Sequence, residues 1–401
     1  MPIRQRIISN YMKSKRSIVI FRKLKKEFPK TMRILTKIFF KVLNENLDLE
    51  LNYVDIGKLT STYVNNVTVY GKSRVIRLDE NTATILYAKN EYTSESKLQE
   101  YLLQEEVLKF LKIDIQKKKM YITNQNSIIQ LYGNWISLLD PSSDNWMHFL
   151  SEVLPNMLQS ISHIDNRYVG LIIDDSLAES EKTLIKIILP GVPIIEIPEN
   201  QPVEIETLHI GDLNRRSGSF FWPRNKEKIL GHYLFLDSEL RNCREKILNQ
   251  MSIPTVKQES MIKLYVKRTS HFRTIVNLDS IENYLLDNGF IVLEPNENNL
   301  QEQILQFSRA ITVVAQAGAV LGGIMFMPQH SKVFCLMADS EWISSDYFAD
   351  FSKVFQVDFV PIKGKIIEES NLSADRIGTA SHPINANFEI DLENIHMALS
   401  V

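Results

Sequence analysis

Three short runs of the chain combine residue types that could move a proton or hold an anion. In NWMHFLSEVLP, residues 145–155, His148 and Glu152 are four apart, so on a helix they share one face, with Asn145 at its amino end. A carboxylate beside an imidazole orients the ring and raises its basicity, as a general base requires. Glu152 itself is the second candidate for that role. The same spacing also serves a hydrogen-bonded packing histidine in an apolar helix. In KLYVKRTSHFRTIVN, residues 263–277, a β-prone segment ends in a loop holding Arg268, Thr269, Ser270, His271 and Arg273. Guanidiniums and hydroxyls at the end of a strand suit a diphosphate, whose oxygens accept paired hydrogen bonds, though surface arginines would read the same way. The third run starts at Glu302-Gln303 and continues through AQAGAVLGGIMF, residues 315–326, which sets Gly318 and Ala319 between a strand and a helix. Small residues there let backbone N–H groups approach an anion; tight strand–helix packing would also select them.

No metal centre is expected. Asp174-Asp175 and Asp237-Ser238-Glu239 precede expected helices, where carboxylates cap free N–H groups. Two cysteines, Cys243 and Cys335, cannot build a disulfide scaffold or a multi-thiolate zinc site, so a reducing compartment, the cytoplasm, is expected.

The elements that must position these residues follow from the hydrophobic rhythm. Short β-prone segments at Val67–Tyr70, Arg74–Leu78 and Thr82–Ala88 and a polar helix over Ser94–Lys112 form a β-rich entry. From Ser127 the chain alternates: strands at Ile128–Leu131 and Trp135–Leu139, a helix over Trp146–Ile161, strand Tyr168–Ile173, helix Leu177–Ile188 capped by Asp175 or Ser176, then strands Pro193–Ile197 and Val203–Ile210. Residues 211–228 read as a linker or loop, and a helix over Ser238–Asn249 as the crossing to a second unit. Beyond it, five strands and four helical crossovers between Ile262 and Ile362 predict a doubly wound α/β sheet. The last 30 or so residues show little periodicity and are expected to wrap back onto the body. Of 401 residues, 46 are Lys or Arg and 48 Asp or Glu. Of the basic residues, 13 fall within residues 1–45 against only Glu27 and Glu45. That arm holds Ile34, Leu35, Ile38, Phe39, Val42 and Leu43 at helical spacing with Lys37 and Lys41 between them, an amphipathic helix able to lie on an anionic bilayer. It has neither the unbroken ~20-residue apolar span of a transmembrane helix nor the pattern of a signal peptide. Because only the arm is basic, no nucleic-acid partner is expected.

In order, the motifs resemble glycosyltransferase family 61, found in bacterial capsule and surface-polysaccharide loci. The match runs from Asn145, His148, Phe149, Glu152 and Pro155, through Arg268, Arg273, Asn277 and Gly289–Pro295, to Glu302, Gln303, Gly318, Ala319, Phe326 and Pro328. Many relatives carry His before the Gly-Ala pair and Asn on the next turn, where this chain has Ala317 and Gly323, so those roles do not carry over. The resemblance implies a GT-B-like fold: two Rossmann-like domains with an interdomain cleft, plus the basic helical arm. Its spans are the arm 1–45, an acceptor-side α/β domain 46–228, a nucleotide-sugar-binding domain 229–375 and a tail 376–401. It implies an inverting transferase, and because arginines and a helix amino end can replace a divalent ion at the diphosphate, a metal-independent one is expected. His148 or Glu152 would be the base, with Arg268, Arg273, Glu302, Gln303, Gly318 and Ala319 on the donor. The partners would be a nucleotide sugar as substrate, with no separate cofactor, and an oligosaccharide or polysaccharide acceptor, at the inner face of the cytoplasmic membrane. The other readings are a non-glycosyl transferase moving pyruvyl or a phospho-sugar onto a glycan, and a glycan-binding scaffold that has lost catalysis.

Overall fold

The computed structural model describes residues 47–53, 62–85, 111–114, 119–124, 126–162, 164, 169–212, 235–254, 260–268, 273–295, 300–340, 345–367 and 385–400. The basic arm, helix residues 94–110, loop residues 213–228 and Thr269, Ser270 and His271 lie outside them.

Two sheets carry the described chain. The first holds β1 (Leu47–Tyr53), β2 (Tyr63–Tyr70), β3 (Val75–Arg77), β4 (Thr82–Ile85), β5 (Leu111–Asp114), β6 (Lys119–Asn124), β7 (Ile129–Ser137), β8 (Val169–Asp174), β9 (Ile194–Ile197) and β10 (Pro202–His209). Its order is β5-β6-β1-β4-β3-β2-β10-β7-β8-β9. The β10-β7-β8-β9 end is parallel, and β2 joins it antiparallel to β10, so the β-rich entry and the α/β part form one continuous sheet. One helix, α1, runs over residues 146–161 as an α-helical turn Trp146–His148, a π-helical stretch Phe149–Val153 and an α-helical segment Leu154–Ile161. Asn145 caps it, its Oδ1 accepting from the Met147 amide at 3.1 Å. Helix α2 (Glu179–Ile188) joins β8 to β9.

Helix α3 (Asp237–Gln250) leads to the second sheet and packs against α1 and α2. That sheet holds β11 (Ile262–Val266), β12 (Phe290–Leu293), β13 (Ala310–Gln316), β14 (Lys332–Ala338), β15 (Asp358–Ile366) and β16 (Phe388–Glu389) in the order β12-β11-β13-β14-β15-β16. Its first five strands are parallel. The crossovers are α4 (Leu278–Asp287), α5 (Leu300–Arg309), a 3-10 helix (Ala319–Phe326) and α6 (Asp346–Val354); α7 (Leu392–Leu399) follows β16. This is the doubly wound sheet expected from the alternation. The chain leaves β11 for β12 and returns to β13 on the other side, so the strand order reverses there. Ligands of open α/β sheets bind beyond the strand ends at such a reversal. A single apolar cluster runs from β7 and β8 through α1, α2 and α3 to the second sheet, so the described halves share buried side chains.

Four local expectations change. Leu111 and Lys112, expected to end a helix, belong to β5, because pairing with Tyr121 and Ile122 of β6 outweighs local helix propensity. The two strands expected around Tyr132 are one strand, β7, whose register against β10 shifts at Tyr132-Gly133 with Gly133 at φ 82°. The final segment does return to the body, but as β16 on β15 and a helix rather than as aperiodic chain. Neither Asp175 nor Ser176 caps α2: its N-cap is Ala178, whose amide donates to Glu181 Oε2 at 2.8 Å.

Asp174 is likewise no cap but a tie. Its carboxylate accepts from the Lys72 amide at 2.5 Å, the Ser143 hydroxyl at 2.6 Å and the Asp140 amide at 3.2 Å. Arg74 grips Asp140 through Nε and Nη2 at 2.5 and 3.1 Å, and Lys72 Nζ meets Asp144. The β2–β3 turn and the end of β8 thereby fix the loop that starts α1. Burial pushes the Asp174 carboxyl up to about 7, against the pull of its three donors. The folded chain therefore keeps this proton where the unfolded chain has lost it. The contribution to stability is full below the unfolded value near 3.8 and disappears as pH rises through about 7. Asp174→Asn lacks that titration and sets an amide N–H2 against a donor, so it should melt below the wild type at pH 5. Calorimetry from pH 5 to 8 should show the gap narrowing; a constant or widening gap would contradict the assignment.

Candidate active site

His148 and Glu152 meet as their spacing requires: His148 Nδ1 lies 2.6 Å from Glu152 Oε1, with side chains 19% and 5% exposed. An ionised carboxylate only accepts, so this contact assigns the ring proton to Nδ1 and makes Nε2 the basic nitrogen of the neutral ring. A residue that the sequence did not mark joins them. Tyr347, at the start of α6, donates its hydroxyl to the same Glu152 oxygen at 3.1 Å. The turn bearing His148 packs on the 3-10 helix. Gly322 makes that possible, since a Cβ there would stand 3.0 Å from both Trp146 and Leu150.

At the reversal in the second sheet, Arg268 follows β11 and Gly318 follows β13. Arg268 Nη1 donates to the Ala317 carbonyl at 2.8 Å, and Arg273 Nη1 reaches the same oxygen at 3.5 Å. A Cβ on Gly318 would fall 2.2 Å from Arg268 Nη1, so the missing side chain is what admits the guanidinium. Gln316 Nε2 donates to the Arg273 carbonyl. The Arg273 amide donates to Asn385 O at 3.2 Å, and the next amide, of Thr274, to Asn387 Oδ1 at 2.8 Å. The carboxyl-terminal segment thus sets the arginine loop, a role nothing in its sequence announces. Burial, then the charge of Arg273, pulls Arg268 down to about 10; burial also lowers Arg273. Both Nε atoms are buried without an acceptor. Neighbouring Lys267, by contrast, has Glu282 and Glu294 at 3.2 and 3.6 Å. Among the described residues no carboxylate pairs with Arg268 or Arg273. Partly desolvated charge left so is costly unless something anionic completes it.

A cavity of about 350 Å³ opens between the two sheets. Asp144, Trp146, Ser180 and Glu181 line it from the first half and Lys267, Arg268, Gln303 and Ala319 from the second. Of the residues singled out from sequence, Arg268, Gln303 and Ala319 therefore reach the cavity. Gly318 and Arg273 adjoin Arg268, whereas His148 and Glu152, on the helix that carries Trp146, do not line the cavity. Glu302 is exposed and accepts from Gln306 Nε2 at 2.6 Å. Ala317 supplies the carbonyl shared by the arginines. Gly323 lies under Phe307, where a Cβ would come within 2.2 Å of the ring, so an Asn there would require the ring to move. Among the described residues no group of three or more His, Cys, Asp or Glu is placed to hold a metal ion.

A two-sheet α/β protein with a partly buried cationic pair at a strand-order reversal and an imidazole–carboxylate pair on the helix that lines the facing side has the parts of a group-transfer enzyme. Residues 146–334 match the family described as Glycosyltransferase 61, a stretch that holds both pairs, and this match supports a glycosyltransferase. No curated protein matches the chain.

Proposed function

We propose that the chain is an inverting glycosyltransferase of GT-B arrangement that moves a sugar from a nucleotide-sugar donor to a glycan acceptor in capsule or surface-polysaccharide assembly. The observation that carries this reading is the pair of partly buried guanidiniums, Arg268 and Arg273, whose Nε atoms are buried without an acceptor and which meet no carboxylate among the described residues at the ligand end of the second sheet. A donor diphosphate would supply the missing charge, held also by amides at the start of the 3-10 helix. The acceptor hydroxyl attacks the anomeric carbon from the face opposite the diphosphate and passes its proton to His148 Nε2. The bond from that carbon to the diphosphate breaks, and its electrons remain on the leaving group, where the arginines stabilise them. Glu152 holds the imidazolium so formed. Two fixed cations and a helix amino end do here what a divalent ion does elsewhere, so the reaction is assigned no metal and no resident cofactor.

The family resemblance supports the capsule setting. The basic arm supports attachment to the inner face of the cytoplasmic membrane, and no helix among the described residues is long and apolar enough to cross a membrane. The test is a thermal-shift panel of UDP, GDP, CMP and their sugars on the full chain. One nucleotide should raise the melting temperature, by about 2.7 kcal/mol of stabilisation at a hundred times its Kd. If none does, the donor assignment falls and a non-glycosyl transferase takes its place.

A further inference from the structure

We infer that Tyr347 is a positioning residue for the His148–Glu152 pair, acting through Glu152 from the opposite half of the protein; this rests on the pair's role as the base. Tyr347 lies outside the family match, on α6, and is 8% exposed. Its hydroxyl is 3.1 Å from Glu152 Oε1, the oxygen that meets His148 Nδ1, and 2.6 Å from Ser151 Oγ. Ser151 Oγ in turn lies 2.7 Å from the Met147 carbonyl. Its ring lies against those of His148 and Phe235, with centroids 5.6 and 5.5 Å apart.

The hydroxyl protons fix the direction of this chain of contacts. Tyr347 donates to Glu152 Oε1 and Ser151 to the Met147 carbonyl, and an ionised Glu152 brings no proton. A carboxylate is the stronger acceptor, so the phenol proton goes to Glu152, and Ser151 divides its proton between the Met147 carbonyl and the phenol oxygen. Glu152 Oε1 then receives one donor from each half: the imidazole N–H from α1 and the phenol from α6. The phenol holds that oxygen toward Nδ1, which keeps Nε2 unprotonated and aimed. It does so only while α6 is docked on α1, so the base is assembled by the contact between the donor-side half and its own half.

Tyr347→Phe keeps the ring contacts and deletes one hydrogen bond to a charged group. We expect kcat to fall about 10- to 100-fold, with donor KM within about twofold because Tyr347 does not line the cavity. In a Glu152→Gln background the same change should have no further effect on kcat, since it acts through Glu152. A purely packing role would instead lower the melting temperature and multiply with the Glu152→Gln loss. Normal kcat in Tyr347→Phe beside a crippled Glu152→Gln, or losses that multiply, overturns this inference alone. Full kcat in Glu152→Gln removes the base assignment and this inference with it.

Discussion

Arg268→Ala should cut transfer by about 10²–10³-fold in kcat, the loss typical when one preorganised donor to a developing anion is removed, and should abolish the nucleotide-induced rise in melting temperature. The apo protein should melt no lower than the wild type. Arg268 gives up solvation without gaining a carboxylate among the described residues and stands beside a second guanidinium on one carbonyl. Deleting it removes a buried repulsion together with the hydrogen bond to Ala317. The expected signature is thus opposite changes in function and stability, as where a fold carries strain for its ligand. Arg268→Lys should restore only part of the activity, because an ammonium keeps the charge but not the planar fork that reaches Ala317 O past Gly318. Isothermal titration with the nucleotide found by the panel, calorimetry of the apo protein and steady-state kinetics decide it. Loss of apo stability with intact activity would make Arg268 a structural residue.

The second sheet was readable because its strands are buried on both faces and so appear as unbroken apolar runs. Lys332–Ala338 is buried at all but its first residue, and Gly289, at φ 79°, closes α4. Arg268 and Gly318 could be paired because each follows a strand end, and the strand-order reversal brings those ends together. What was not readable depends on partners distant in sequence. The continuity of the first sheet comes from Tyr63–Tyr70 pairing with Pro202–His209, and β5 exists only because β6 is beside it. Neighbours on a helix point about 100° apart, so Gln303 can face the cavity while Glu302 faces solvent. The π-helical stretch through Glu152, the tie at Asp174 and the reach of Tyr347 into the first half are settled by packing between elements, which spacing along one element does not encode.

Removing the imidazole should separate chemistry from binding. His148→Ala is expected to lower kcat by about 10²–10⁴-fold, the range for a positioned base, while donor affinity stays within about twofold. The anion site is built by residues of the second half, and His148 does not line the cavity. Folding should persist, since the side chain keeps part of its surface in solvent and Glu152, which it meets at 2.6 Å, retains the Tyr347 hydroxyl. Glu152→Gln should cost less. The amide preserves the shape and can still accept from Nδ1–H through its oxygen, but it cannot balance the imidazolium charge formed when the acceptor proton arrives. The ordering wild type, Glu152→Gln, His148→Ala in kcat, at constant donor affinity, distinguishes the imidazole as the proton acceptor. If Glu152→Gln were the more damaging change and His148→Ala mild, the carboxylate would be the base and the imidazole its neighbour. Equal losses in affinity and kcat in both variants would place the pair in donor binding instead.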